Sequence, residues 1–280
     1  MLRPRIIPCL LMQNGGLVKT VQFRDAKYVG DPVNAVKIFN EKEADELILL
    51  DIDASATGAE PNFKLMAQIA VECRMPLCYG GGIKTVDQAS TIIGLGVEKV
   101  AISSAAIEHP ELISAIAQAI GSQSVVVVFD VSRRSNATDY EVRTHNARTN
   151  TGQLASAAIK RATALGAGEI VVNSVDNDGR MKGYDLALAR SVRDATPLPM
   201  TVLGGAGSLD DIRRLISTCG VVGAAAGSLF VFKGVYRAVL INYPDPAQKD
   251  DLIRSALGTP AGEGSGSGAA GGHRRSVLPT

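Results

Sequence analysis

ELILLDID, residues 46–53, returns as EIVVNSVD, residues 169–176, at an offset of 123 residues (169 less 46). Each is a strand-length run opened by a glutamate and closed by an aspartate. Gly80-Gly81-Gly82 answers Gly204-Gly205-Ala206 at an offset of 124 (204 less 80), and Gly96-Val97 answers Gly220-Val221 at the same spacing. The strand ends at Leu11 and Asp130 pair at 119 (130 less 11). A near-constant offset through four segments marks a duplicated half. The halves differ at that last pair. The second half offers a carboxylate, Asp130, whereas the first offers Leu11, an apolar side chain that cannot move a proton.

Working outward, apolar runs of strand length alternate with helical patterns. Strands are expected at 6–11, 47–52, 77–79 and 99–102 in the first half, and at 125–129, 170–173, 200–203 and 221–226 in the second. Most are continuously apolar, as parallel strands covered by helices must be. Helices are expected at 32–43, 62–73, 86–94, 110–120, 154–165, 186–194 and 209–217. Strand–helix units in this number predict an α/β fold, a (β/α)₈ TIM barrel of two duplicated half-barrels spanning residues 1–257. An open doubly wound sheet would leave the duplication unexplained. From 258 to 280 the chain turns Gly/Ser-rich, a flexible low-complexity tail ending in His273-Arg274-Arg275 and given no function.

Composition narrows the function. A net charge of +1 and an aromatic content of 4% give no reason to expect nucleic acid or an anionic membrane. No apolar stretch is long enough for a membrane span and no signal peptide is evident, so a cytoplasmic location is expected. The four cysteines, Cys9, Cys73, Cys78 and Cys219, form no metal-ligand spacing and read as reduced buried thiols; no metal or cofactor is expected.

Chemistry in a barrel collects where strands end. Gly81 and Gly82 after the third strand, and Gly204 and Gly205 after the seventh, allow backbone N–H groups to wrap an anion. Ser103 and Ser104 after the fourth strand, and Gly227 and Ser228 after the eighth, complete two matching phosphate sites, which implies a ligand with two phosphates. Asp51, Asp53, Asp130, Asp176 and Asp178 are acidic candidates at the same mouth. Asp130 leaves a very apolar strand, so desolvation there favours general acid/base work. Asp176 and Asp178 lie in a turn-like run without the ligand spacing of a calcium loop, and Asp176 is assigned to the phosphate side. At the opposite face, Arg5, Glu46, Lys99 and Glu169 stand at or near strand starts, where four alternating charges would meet around the axis and close a route into the core.

Together these residues resemble the cyclase subunit of imidazole glycerol phosphate synthase, the ammonia-using barrel of histidine biosynthesis. The resemblance covers residues 3–243. It is carried by Arg5-Ile6-Ile7-Pro8-Cys9-Leu10, Val18-Lys19, Gly30-Asp31-Pro32, Ala44-Asp45-Glu46-Leu47, Gly80-Gly81-Gly82-Ile83, Gly121-Ser122-Gln123, residues 165–170 (LGAGEI), Asp178-Gly179, Gly183-Tyr184-Asp185 and Gly204-Gly205-Ala206-Gly207. It implies a glutaminase subunit docked on the N-terminal face, an ammonia gate at Arg5, Glu46, Lys99 and Glu169, and a phosphorylated small-molecule ligand. Asp130 matches one of the family's two catalytic aspartates and Lys19 an active-site lysine.

The departures are as specific. The family's second catalytic aspartate falls on Leu11, its phosphate-site asparagine on Ser103, its strand-two threonine on Asp53, and a histidine near the eighth strand on Val231. Losing a general acid or base commonly costs roughly 10²–10⁴-fold in rate. The pattern is similar to paralogues of surface-polysaccharide pathways, which supply ammonia to a sugar amidotransferase that turns an acetamido into an acetamidino sugar. Residues 78–82 (CYGGG) and 240–244 (LINYP) also look more like that branch. Conduit for sugar amidination is therefore the first expectation. A genuine cyclase working with Asp130 alone, or with a relocated acid such as Asp53, is the second. A sugar-isomerase relative is the third, and it leaves the four-charge cluster unexplained.

Overall fold

The computed structural model describes residues 3–135, 139–234 and 236–258. The expected tail, 258–280, lies outside the described residues from position 259 onward. The strands in chain order are β1 (Arg5–Gln13), β2 (Gly16–Val21), β3 (Arg24–Gly30), β4 (Leu47–Asp51), β5 (Leu77–Gly80), β6 (Lys99–Ile102) and β7 (Val125–Arg133). They continue as β8 (Tyr140–Thr144), β9 (Thr149–Leu154), β10 (Glu169–Ser174), β11 (Met200–Leu203) and β12 (Gly223–Ala226). Parallel pairing runs β1–β4–β5–β6–β7–β10–β11–β12 and closes from β12 back to β1. The fold is an α/β TIM barrel of eight parallel strands.

Helices α1 (Pro32–Glu41), α2 (Ile52–Thr57), α3 (Phe63–Glu72), α4 (Val86–Gly94), α5 (Ser104–Glu108) and α6 (Glu111–Ile120) belong to the first half. The second carries α7 (Ala155–Ala164), α8 (Leu186–Ala195), α9 (Leu209–Cys219), α10 (Ser228–Val231) and α11 (Pro246–Ala256). Local chemistry starts many of them: Asp31, Asn62, Thr85, Asp185, Ser208 and Asp245 each accept a backbone N–H of the first helical turn.

The apolar runs serve two cores. Along β1, Ile6, Leu10 and Met12 face the helical ring, while Ile7, Cys9 and Leu11 face the barrel interior. Ile48, Cys78, Val126, Val128 and Val171 join that inner cluster. A strand buried on both faces has no polar alternation to show, which is why continuous apolar runs located the barrel.

Two antiparallel hairpins were not expected. β1 runs on into β2 and β3, and β7 runs on into β8 and β9. The duplication thus reaches beyond the barrel: each half extends its first strand and folds it back over the C-terminal mouth. The first hairpin has a sequence signal, since Asn14-Gly15 sits at its turn with φ of 52° and 75°. The second turns through His145, Asn146 and Ala147, with φ of 53°, 55° and 60° and no glycine to announce it.

Candidate functional site

A cavity of about 680 Å³ opens at the C-terminal ends of the strands. The glycine and serine positions expected there do come together. Gly81, Gly82, Ser103 and Ser104 line one side, and Gly204, Gly205, Gly227 and Ser228 line the other. Gly81 could be nothing else: a Cβ there would stand 2.3 Å from the Asp51 carbonyl oxygen, and its φ is +123°. The backbones after β4 and β5 therefore approach closely, with N–H groups available to an anion. Neither α5 nor α10 carries a side-chain cap.

Asp130, Lys19 and Leu11 also line the cavity. Burial pushes the Asp130 carboxyl up to about 7; the Asn173 amide opposes the shift and the Asp178 charge adds to it. Asn173 Nδ2 donates to Asp130 Oδ1 at 3.0 Å. The Lys19 ammonium donates to the Cys9 carbonyl, and burial draws its pKa below the ordinary value against the pull of Cys9 and Asp178. Leu11 packs on the inner apolar cluster, so its own position at the mouth carries no titratable group.

Among the acidic candidates the structure separates neighbours. Asp51 and Asp178 line the cavity, and burial raises both carboxyls above their usual range. Asp178 accepts from the Thr20 hydroxyl at 3.1 Å, which ties the β10 loop to the β2–β3 hairpin. Asp176 is not among the lining residues; its Oδ2 accepts from the Arg133 N–H at 2.8 Å. Asp176, expected on the phosphate side, is thus turned onto the Arg133 backbone, and of the two aspartates in this turn it is Asp178 that lines the cavity. Asp53, the alternative acid, is not among the lining residues. Its carboxylate accepts from Gln13 Nε2 at 3.1 Å and from the Asn14 N–H at 2.6 Å, bracing the first hairpin outside the cavity. Val231 is buried within α10.

Among the lining residues that sequence reasoning missed, three make hydrogen bonds that shape the mouth. His145 and Asn146 arrive on the second hairpin, where the His145 N–H donates to Ser104 Oγ at 3.0 Å and Asn146 Nδ2 to the Ile52 carbonyl at 3.0 Å. The third is Asn173. Its only sequence signal was a polar residue inside the apolar run of β10.

At the other end of the barrel the four charges form a closed ring. Lys99 Nζ lies 2.9 Å from Glu46 Oε1 and 2.9 Å from Glu169 Oε2. Arg5 pairs with Glu46, and its Nη2 stands 2.6 Å from Glu169 Oε1. Thr201 Oγ1 donates to Glu169 Oε1 at 2.7 Å. Burial opposes ionisation of Glu169, but Arg5 and Lys99 overcome it and hold the carboxyl down at about 2. Between ring and cavity lies the inner apolar cluster, with Cys78 buried near the ring and Cys9 reaching the cavity wall.

Among the described residues, no group of three or more His, Cys, Asp or Glu is arranged to hold a metal, and no helix is long and apolar enough to cross a membrane.

Known proteins resemble this chain over most of its length. The sequence profile of the family described as "Histidine biosynthesis protein" matches residues 5–237. A protein of Leptospira borgpetersenii named "Putative imidazole glycerol phosphate synthase subunit HisF" is 56% identical over 253 residues, covering 90% of this chain and 100% of that protein. One of Vibrio vulnificus, "Putative imidazole glycerol phosphate synthase subunit hisF3", is 57% identical over 90% of this chain and 97% of its own length. One of Pseudomonas aeruginosa, named as subunit hisF2, is 51% identical over 89% and 99%.

Proposed function

The chain belongs to the histidine biosynthesis protein family as a HisF-like barrel, and from that premise we propose that it accepts ammonia from a glutaminase subunit docked on its N-terminal face. The observation that carries this reading is the ring of Arg5, Glu46, Lys99 and Glu169 lying at one end of an apolar barrel interior, with the acid-bearing cavity at the other. An apolar interior suits neutral ammonia and rejects ammonium, whose charge is costly to desolvate. The two groups of glycine and serine N–H donors suit the phosphates of a bisphosphorylated ligand, and Lys19, whose ammonium lies beside Gly227, adds positive charge to the second group.

For the fate of the ammonia, Leu11 favours a conduit. With one acid lost from the mouth, the nitrogen passes onward to a sugar amidotransferase that makes an acetamidino sugar. The cyclase reading, in which imidazole glycerol phosphate forms in this cavity, draws support from Asp130 and from Asp178 beside it. The deciding experiment supplies free ammonium and the bisphosphorylated ribulosyl substrate to the purified protein and follows imidazole glycerol phosphate. Turnover at the rate of an enzyme with both aspartates overturns the conduit reading. No turnover, with partial recovery in Leu11→Asp, supports it.

A further inference from the structure

The carboxyl of Asp130 has one hydrogen-bonded side-chain partner among the described residues, the amide of Asn173. Asn173 sits on β10, directly opposite Asp130 of β7 in the parallel register, and is 6% exposed. With Nδ2 turned toward Asp130, its Oδ1 is buried and has no hydrogen-bond partner. A buried acceptor without a donor is a standing cost that folded proteins ordinarily avoid. The amide has two faces, however, and turning it by half a revolution exchanges donor and acceptor. An ionised Asp130 then takes a hydrogen from Nδ2, whereas a protonated Asp130 gives its own to Oδ1. Gly204 keeps room for that turn, since a Cβ there would stand 2.9 Å from Oδ1.

We propose that Asn173 is a positioning residue that turns its amide as Asp130 gains or loses its proton, holding the carboxyl in place in both states. The idea rests on the cyclase reading above, in which protons are moved in this cavity. Where two acids share a mouth, one takes a proton while the other gives one. Leu11 removes the second, so one carboxyl has to serve in both directions. An aspartate held by a fixed donor would be kept ionised, and one held by a fixed acceptor would be kept protonated. The amide permits either, so the proton removed from a ligand atom returns to another without a further group.

The surroundings are compatible. The Asp178 charge acts on Asp130 and disfavours a second negative charge, which keeps the protonated state of Asp130 accessible. Lys19 of β2 and Cys9 of β1 are engaged with each other through the Cys9 carbonyl. Arg143, opposite Asp130 on β8, is tied to Ser132 Oγ at 2.8 Å. β6 brings no charged side chain to the cavity.

The test does not need the reaction. In the ligand-free protein, the Asp130 carboxyl carbon and the Asn173 side-chain amide are followed by NMR through a pH titration. The two signals should move together, with one midpoint near neutrality. An Asn173 amide that stays still while Asp130 titrates overturns the proposal. Asn173→Leu removes the partner of both states, and because the bond to the ionised carboxyl is the stronger one it should lower the Asp130 acid dissociation constant by a few-fold, whereas Asn173→Thr, whose hydroxyl both gives and accepts, should restore it. An unchanged Asp130 titration in a folded Asn173→Leu protein also overturns it, and the unsubstituted protein decides if that variant does not fold. Because the readout is a titration of the ligand-free protein, absence of turnover would strike only the cyclase reading, and the titration would still decide this proposal.

Discussion

Lys99 Nζ stands 2.9 Å from Glu169 Oε2, and the two residues come from opposite halves of the duplicated chain. The ring they share with Arg5 and Glu46 is therefore a lock between halves as well as a plug in the barrel. Removing one member strands a charge whose desolvation is already spent. Lys99→Met should cost about 3–5 kcal/mol, measured by urea unfolding. A loss below about 1 kcal/mol would mean that water already screens the ring.

The same ring sets an acid limit. The Glu169 carboxyl is held at about 2 against an ordinary 4.5, so it stabilises the fold above pH 4.5 and loses that contribution as pH falls toward 2. Melting temperature should fall through that window in the unsubstituted protein. In Glu169→Gln the fall should be shallower, from a lower starting value.

Asp130 acts in the opposite sense. Its carboxyl is raised from 3.8 to about 7, so the folded chain holds a proton that the unfolded chain releases, and stability drops as pH climbs from about 4 to about 7. Asp130→Asn abolishes that drop. The variant should be more stable than the parent at pH 8 and gain nothing at pH 4, with each tenfold of shift worth about 1.4 kcal/mol. A parallel pair of pH–stability curves would refute the raised value.

At Gly81 there is no room for a side chain, because a Cβ would meet the Asp51 carbonyl oxygen at 2.3 Å. Gly81→Ala should cost about 2–4 kcal/mol from overpacking and backbone strain together. It should also abolish inorganic phosphate binding on that side of the cavity. Calorimetric titration with phosphate checks this, and retained affinity would detach the phosphate assignment from Gly81.

Asp53 and Asp178 give a contrasting pair. Asp53 braces the first hairpin through two hydrogen bonds, so Asp53→Ala should cost about 1 kcal/mol and leave turnover unchanged. Asp178→Asn, inside the cavity, should shift the pH profile of any turnover by relieving the negative charge beside Asp130. Equal effects from the two variants would contradict the geometry.

The barrel was legible because its cause is local and repeated. Strands covered on both faces must be apolar throughout, and the ELILLDID and EIVVNSVD runs show it twice. The glycine clusters were legible too, since close backbone approach leaves no alternative residue at Gly81. The ring charges could be placed on one face because each stands at or near a strand start. The hairpins were harder: β3 is mostly exposed and charged, and its turn uses Gln22 and Phe23 at positive φ where no glycine marks it.

By itself, then, the sequence determined the duplicated TIM barrel, the paired glycine clusters, the two ends of the barrel axis and the asymmetry of Leu11 against Asp130. Tertiary structure alone decided which aspartate enters the cavity. Asp176 and Asp178 are two residues apart and chemically identical, and the direction each side chain faces is set by how the β10 loop packs under the β2–β3 hairpin. It alone decided as well that Asp130 meets Asn173, a contact between residues 43 apart that depends on the register of β7 against β10. Composition and spacing encode what a residue can do. Burial and partners, which set its protonation, exist only once distant strands have been brought side by side.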